Sequence, residues 1–265
     1  MTVQLHQVTA ALYVIAAIAA SLGSSVSMPR LGRTAVHLLI MAVALHAVSF
    51  GALHAAEPTP PLTDFPVAVS FMALMGVLSF LLLMRRASIE RLVVLVAPAA
   101  FLCVFYTSVR LPAIVPATTT VASGSWPHAH VVLGSAGLSL LGLAGLAGLL
   151  FLVEHRRLKA KRPARTRLPM PSLEALDRVN VAALMLGFPL LTLGVITGLL
   201  WEQAESGRWW TGTAHQSWSL IAWVVYVVLV AIRLGSNQGS RQAAVSALAG
   251  FALLFFAVIG LELFV

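Results

Sequence analysis

Three histidines in apolar surroundings are the residues of this sequence best suited to chemistry. His46 stands within "AVALHAVSF", His130 within "PHAHVVLG" and His215 within "GTAHQSWSLIAW". A neutral imidazole can ligate a metal ion, relay a proton, or serve only as an interfacial or hydrogen-bonded structural group. A cysteine-based metal site is not expected, because the chain has a single cysteine, Cys103. Which of these roles a histidine can have depends on the secondary-structure element that carries it.

These elements are predicted to be membrane-spanning helices. Hydrophobic residues make up 59% of the 265-residue chain and charged residues only 10%, whereas soluble domains carry about 25% charged residues. Runs of about 20 apolar residues match the bilayer core, where backbone polar groups must be satisfied within a helix. The sequence therefore predicts an all-α, polytopic integral membrane protein with one transmembrane domain over 1–265. Eight helices are expected at about 6–27, 35–53, 65–84, 91–108, 130–153, 179–201, 215–233 and 242–264.

The basic residues predict how these helices are oriented. If successive loops alternate between the two membrane faces, one face holds only Arg110 and Arg208 of the 17 Lys and Arg residues. The positive-inside rule then places both termini outside and the basic 154–178 loop in the cytoplasm, in a bacterial inner membrane. The net charge of +8 is accordingly assigned to orientation and to contact with membrane lipid, not to nucleic acid.

Glycines are expected to let two helices approach closely. The fifth predicted helix carries five glycines, and the sixth has a GxxxG pair. Small residues at such spacings allow close backbone contact between membrane helices. Pro189 is expected to kink the sixth helix. The glycines are Gly134, Gly137, Gly142, Gly145 and Gly148 in the fifth helix and Gly194 and Gly198 in the sixth.

The predicted topology groups two of the histidines. His130 opens the fifth helix and His215 opens the seventh, so both stand at the outer face at similar depth. Two histidines entering from different helices at one level can supply opposed axial ligands to haem iron. His128 is predicted to be an exposed neighbour that precedes the helix. His46 lies about two turns below the outer end of the second helix, where it is either part of a site or a hydrogen-bonded structural residue.

The tryptophans gather at the same predicted face. All six fall on the outer half, which suits either an interfacial aromatic belt or a flat apolar platform for a cofactor. Trp218 follows His215 by three residues and so shares its side of the helix. Arg208 is either a solvated cation or a partner for a haem propionate. The six are Trp126, Trp201, Trp209, Trp210, Trp218 and Trp223.

The order of these pieces resembles the cytochrome c assembly family, which includes the CcsA/ResC and CcmC haem-handling proteins. The resemblance is carried by "LEALDRVNVAALMLGFPLLTLGVITGLLW" (173–201), "WWTGTAHQSWSLIAWVVYVVLVAIR" (209–233) and the "HVVLG" that opens the fifth helix. Within the family, the sequence looks most similar to the YpjD/HemX-like branch. The resemblance implies an eight-helix membrane protein that handles haem.

The resemblance also assigns roles to individual positions. His130 matches an outer histidine at the start of a helix, and His46 matches a histidine of an earlier membrane helix. Trp209 and Trp210 match the aromatic part of a haem-presenting W-x-W-D motif, but its aspartate and the following lysine are absent. His215 stands within that stretch instead. A second outer histidine after the seventh helix is also missing.

The sequence thus predicts a protein that binds or passes haem b near the outer leaflet, with His130 and His215 as axial ligands. No covalent catalytic constellation is found, so the chain is not expected to be an enzyme. Its expected partners are haem, membrane lipid, and proteins of cytochrome c maturation or haem biosynthesis. Two alternatives remain open: a regulatory or scaffold membrane protein without a cofactor, and a small-solute transporter that uses His46, Thr192 and Thr197.

Overall fold

The residues that the structure describes form eight α-helices and no strand. The structure is a computed structural model that describes residues 2–26, 28–55, 61–62, 64–85, 87–111, 125–161, 170–235 and 238–257. The helices are α1 (Thr2–Ser25), α2 (Pro29–His54), α3 (Phe65–Met84), α4 (Val93–Arg110), α5 (Trp126–Lys159), α6 (Leu173–Ser206), α7 (Ala214–Gly235) and α8 (Ser240–Phe255), and a 3-10 turn at Glu90–Leu92 precedes α4. The all-α prediction is confirmed.

Seven of the described helices, α1 to α7, are long and apolar enough to cross a membrane. The eighth, α8, begins two residues before its predicted start, and its predicted end at 264 lies outside the described residues. The sequence and the structure therefore agree on a multi-pass membrane protein.

The fifth helix begins earlier than predicted, and this changes the position of His128. Helix α5 starts at Trp126 and has Pro127 in its first turn. Proline is favoured there because an N–H in the first turn has no intrahelical acceptor, so nothing is lost when it is absent. The fixed φ of proline also suits the helix. The prediction that His128 precedes the helix is therefore wrong: His128 lies inside α5, although its side chain is exposed.

Helix α6 is also longer than predicted, for reasons visible at both ends. The Ser172 side chain caps its start by accepting a hydrogen bond from the Ala175 N–H at 3.1 Å. Gly207 ends it with a φ of 71°, a left-handed conformation that glycine adopts without steric cost. The helix continues across Pro189, which stands in its interior. These bounds place Gly194, Gly198 and Trp201 on one continuous helix.

The chain divides into two compact units. Unit 1 comprises residues 1–121 and 163–171 and contains α1 to α4; unit 2 comprises 122–162 and 172–265 and contains α5 to α8. In unit 1, α1 packs against α2 and α4, and α3 packs against α4. Tyr13, Leu39 and Val67 are fully buried there.

Unit 2 is built on α5, which packs against α6 and α8. A Cβ placed on Gly137 would lie 2.5 Å from the Leu191 backbone nitrogen of α6, and one on Gly148 would lie 2.6 Å from the Ala244 carbonyl oxygen of α8. The predicted close packing at these glycines is confirmed. The structure adds that the α5 glycines serve two helices, since Gly145 and Gly148 face α8.

Candidate functional site

His130 lies in the second turn of α5 and is half-buried against α6. Its Nδ1 is 2.8 Å from the Gly194 carbonyl oxygen. Because a carbonyl oxygen only accepts, Nδ1 must carry the proton and donate it. In the neutral imidazole, Nε2 then holds the free lone pair. Metal-ligating histidines usually have this arrangement, in which one ring nitrogen donates to a backbone carbonyl and the other binds the metal.

Helix α6 accommodates the His130 ring because it presents glycine at the point of contact. A Cβ on Gly198 would lie 2.8 Å from His130 Nδ1. The Trp201 ring lies one turn further along α6, with its centroid 6.0 Å from that of His130 and the two planes tilted by 45°. Trp201 Nε1 is shielded from solvent and has no hydrogen-bond partner among the described atoms. A buried N–H of this kind can donate to a bound group.

The sequence predicts that Trp201 is one of the outer tryptophans, but it does not predict the contact between the Trp201 and His130 rings. A signal for the pairing was present. Gly194, Gly198 and Trp201 are spaced by four and three residues, which puts them on one face of α6. A face made of two glycines and one tryptophan lets the His130 ring lie against the α6 backbone with the Trp201 ring beside it.

His215 stands in the first turn of α7 and is also half-buried. The segment 207–213 that precedes it is held by Gln216, whose Oε1 accepts hydrogen bonds from Thr211 N–H at 3.1 Å and from Thr211 Oγ1 at 3.0 Å. Gln216 Nε2 donates to Glu202 Oε2 at 2.8 Å. Glu202 therefore ties α6 to α7.

The tryptophans assigned to the site expose much of their surface. The exposed fractions are 40% for Trp126, 57% for Trp209, 44% for Trp210 and 38% for Trp218. Arg208, between α6 and α7, is exposed too. Trp218 contacts Phe256 nearly at right angles with ring centroids 5.7 Å apart. Exposed aromatic rings at helix ends suit both an interfacial belt and a surface that receives an apolar ligand.

Trp223 and the threonines of the transporter alternative are used in helix packing. Trp223 Nε1 donates to Thr192 Oγ1 at 3.0 Å, linking α7 to α6. The hydroxyls of Thr192 and Thr197 donate to carbonyls of their own helix, at 2.9 Å to Phe188 and 2.8 Å to Leu193. Both threonines therefore have structural partners in unit 2.

His46 belongs to a separate, fully buried cluster in unit 1. Its Nδ1 is 3.2 Å from the Tyr13 hydroxyl and its Nε2 is 2.9 Å from the Ser70 hydroxyl. Both ring nitrogens are engaged, so iron ligation by His46 requires the loss of one of these bonds. The structure thus gives His46 the hydrogen-bonded arrangement of the structural alternative. Its assignment to a cofactor site stays a prediction.

His6 joins this cluster, which the sequence did not anticipate. His6 is 0% exposed, and its ring centroid is 6.2 Å from that of His46. Its Nδ1 donates to the Thr2 carbonyl at 3.1 Å, so the lone pair is on Nε2, which has no partner among the described atoms. His6 is buried because α1 packs this face of its first turns onto α2.

Ser70→Ala is expected to destabilise unit 1 by about 1–3 kcal/mol, the cost of leaving one buried polar atom unpaired. The reason is that His46 is fully buried, so its Nε2 would lose the hydrogen bond to the Ser70 hydroxyl with no water to replace it. Chemical or thermal unfolding in detergent measures the effect. Ser24→Ala is the control, because the Ser24 hydroxyl is exposed and bonds only a local carbonyl. Equal stability of the two variants would contradict the structural role of the cluster.

Asp64, at the N-cap of α3 outside the spanning segment, is expected to make stability depend on pH. Partial burial raises the pKa of its carboxyl above the usual value, and the charge of Arg110 partly opposes this. The folded state then binds the proton more tightly than the unfolded state, so stability is lost as the pH rises from the unfolded through the folded pKa. Asp64→Asn should flatten this acid-side part of the stability profile. An unchanged profile would contradict the shift.

The donor set bears on which metal group unit 2 could hold. No three His, Cys, Asp or Glu side chains converge within the described part of the chain, so these residues do not form a metal cage from protein ligands alone. A metal ion that is already coordinated by a macrocycle, such as the iron of haem, needs only one or two imidazoles from the protein. A half-buried His130 with Nε2 unprotonated, next to an aromatic ring and a buried indole N–H, fits haem in this respect.

Comparison with known proteins points in the same direction. A family model described as "Cytochrome C assembly protein" matches residues 62–265, which begin just before α3. The chain is 26% identical over 231 residues to "Cytochrome c biogenesis protein CcsA" of Prochlorococcus marinus (strain MIT 9303), covering 77% of this chain and 73% of the relative. It is 25% identical over 201 residues to the protein of the same name from Chlamydomonas reinhardtii, covering 73% of this chain and 54% of that relative.

Proposed function

Because the chain belongs to the cytochrome c assembly protein family, we propose that it acts in cytochrome c biogenesis by binding or passing haem b at one membrane face. The observation that carries this proposal is the hydrogen bond from His130 Nδ1 to the Gly194 carbonyl. It fixes the ring orientation and leaves Nε2 as the lone-pair donor that haem iron accepts. In this proposal His130 and His215 would together hold the haem iron.

Other residues of unit 2 have supporting roles in the proposal. The Trp201 ring packs beside His130. The exposed rings of Trp126, Trp209, Trp210 and Trp218 would offer an apolar surface for the porphyrin. Arg208, one of the two basic residues predicted at the outer face, is the proposed partner of a propionate. Haem, when bound, would supply an iron that accepts imidazole nitrogens as ligands. The residues of this chain hold and orient it, and they perform no covalent step.

The proposal extends to location and partners. The chain is a multi-pass membrane protein, and we place it in the inner membrane of a bacterium with the haem site on the outer face. The proposed partners are proteins of cytochrome c maturation or haem biosynthesis that deliver or receive haem.

The visible spectrum of the purified full chain tests this function. Protein expressed with haem supplementation and purified in mild detergent is expected to show a Soret band, and extraction of the pigment should identify haem b. Protein that stays colourless after supplementation and also fails to bind added haem would overturn the proposal. That outcome would favour a regulatory membrane protein without a cofactor.

A further inference from the structure

A groove in unit 2 lies apart from the histidines, at the end of the unit that carries the basic helix termini. Its volume is about 500 Å³, and its lining includes Asp177, Val181 and Met185 of α6, Arg233 of α7, and Gln238 and Ser240 at the start of α8. Arg233 is in the last turn of α7 and Ser240 in the first turn of α8. The groove is therefore at the level where a membrane helix ends, which is the level of lipid headgroups.

The polar end of the groove holds a cation and an anion side by side. Arg233 donates to Asp177 Oδ1 at 3.2 Å and to the Gln238 carbonyl oxygen at 3.2 Å. The side chains of Arg233 and Asp177 are only 14% and 28% exposed. The N-cap of α8 is Gly239, which has no side chain to cap the first-turn N–H groups. Donors from α7 and α8 thus face an acceptor on α6.

A buried acceptor beside the groove, Asn180 Oδ1, lacks a hydrogen-bond donor among the described atoms. Asn180 is 2% exposed, and its Nδ2 donates to the Ala144 carbonyl at 3.0 Å. Its Oδ1 has no hydrogen-bond partner among the described atoms. Asn180 lines an inner cavity of about 10 Å³ that shares Arg233 and Gln238 with the groove. This volume suffices for one water, which can donate to Asn180 Oδ1 and accept from a bound group.

The remaining wall of the groove is apolar and faces outward. Met185 is 38% exposed and Leu234, which also lines the groove, is 65% exposed. Val181 lies between Asp177 and Met185 at helical spacing, so the apolar strip runs along α6 away from the ion pair. An occupant therefore has a charged end at the helix termini and an apolar end towards the membrane.

We propose that this groove binds one phospholipid whose headgroup carries a primary ammonium, such as phosphatidylethanolamine. The phosphate accepts from Arg233 and from the first-turn N–H groups of α8. The ammonium donates to Asp177 and, through the inner water, to Asn180. One acyl chain lies along Val181 and Met185. With a purely anionic headgroup, Arg233 alone would have to offset both the phosphate and the Asp177 carboxylate. A quaternary choline headgroup has no N–H to donate.

Native mass spectrometry of the full chain tests this site, with phosphatidylethanolamine, phosphatidylglycerol or phosphatidylcholine added to delipidated protein. We expect one tightly held phosphatidylethanolamine and weaker retention of the other two lipids. Arg233→Gln should lower retention about tenfold, because a charge-assisted hydrogen bond is lost. Met185→Trp should also lower it by filling the apolar wall without touching the ion pair. Asp177→Asn should abolish the preference over phosphatidylglycerol.

Arg241→Gln is the matched control, because Arg241 is an exposed cation on the first turn of α8 that does not line the groove. Circular dichroism and size-exclusion profiles show which variants fold, and Met185→Trp tests the site if Arg233→Gln does not. Equal retention of the three lipids by the wild type, or an equal loss in Arg241→Gln, would overturn the proposal. Displacement of the lipid by millimolar inorganic phosphate would also overturn it, since the groove would then be a site for free phosphate. None of these readouts depends on haem.

Discussion

His130→Ala is expected to abolish the Soret band of haem-supplemented protein, or to lower haem retention by at least about 10–100-fold. Loss of a group that only hydrogen-bonds to a metal ligand lowers affinity by about this factor, and loss of the ligand itself should cost at least as much. The structure gives the reason: His130 is held by the Gly194 carbonyl with Nε2 available, and its ring lies on the bare backbone of Gly198. His215→Ala should have the same effect if His215 supplies the second ligand. Visible spectra and titration with haem measure both.

The control for this experiment is on the same helix. His128→Ala should leave the spectrum unchanged, because His128 is exposed on α5, two residues from His130. Added imidazole should partly restore the band in His130→Ala, whereas a merely misfolded variant would not respond. A full Soret band in the double variant His130→Ala/His215→Ala would contradict the ligand assignment while leaving family membership untouched.

Gly137→Ala is expected to destabilise unit 2 by about 1–3 kcal/mol, the usual cost of overpacking a well-packed core. Helix propensity alone predicts the opposite sign, because alanine is favoured over glycine in a helix by about 1 kcal/mol. Packing decides the sign here: the new Cβ would lie 2.5 Å from the Leu191 nitrogen and 2.9 Å from its Cα, and backbone atoms of α6 cannot move as a side-chain tip can. Unfolding in detergent measures the change.

Gly134→Ala is the matched control, one turn earlier on α5. A Cβ at Gly134 meets nothing within 4 Å, so this variant should be as stable as the wild type or gain up to about 1 kcal/mol from helix propensity. A stabilised Gly137→Ala variant would show that α5 and α6 are not as close as the structure places them. The pair thus separates close packing from propensity within one helix.

The membrane helices were predictable because the bilayer imposes a length and a composition on every span. The residues at which these helices begin and end were less predictable. The predicted start of α5 is four residues late, because apolar run length does not show that Pro127 is favoured in the first turn of a helix. This error removed His128 from α5. The start of α6 depends on the Ser172 cap, which a hydropathy pattern does not register.

The candidate site was predicted in part. The choice of His130 and the close approach of glycines on α5 and α6 follow from residue type and spacing. The role of Trp201 beside His130, and the recruitment of Glu202 by Gln216, depend on which faces of α5, α6 and α7 meet. In unit 1 the same limit applies to His6, whose burial against His46 has no periodic signature in the sequence.

The sequence by itself determined that this is a polytopic helical membrane protein of the cytochrome c assembly family, because apolar run length, basic residue distribution and motif order are properties of the chain. Only the tertiary structure decided which ring nitrogen of His130 is protonated, that both nitrogens of His46 are engaged, and that Gly137 must remain glycine. Each of these depends on the rotation of one helix against another. That rotation is set by contacts between residues far apart in sequence, which spacing within one helix does not encode.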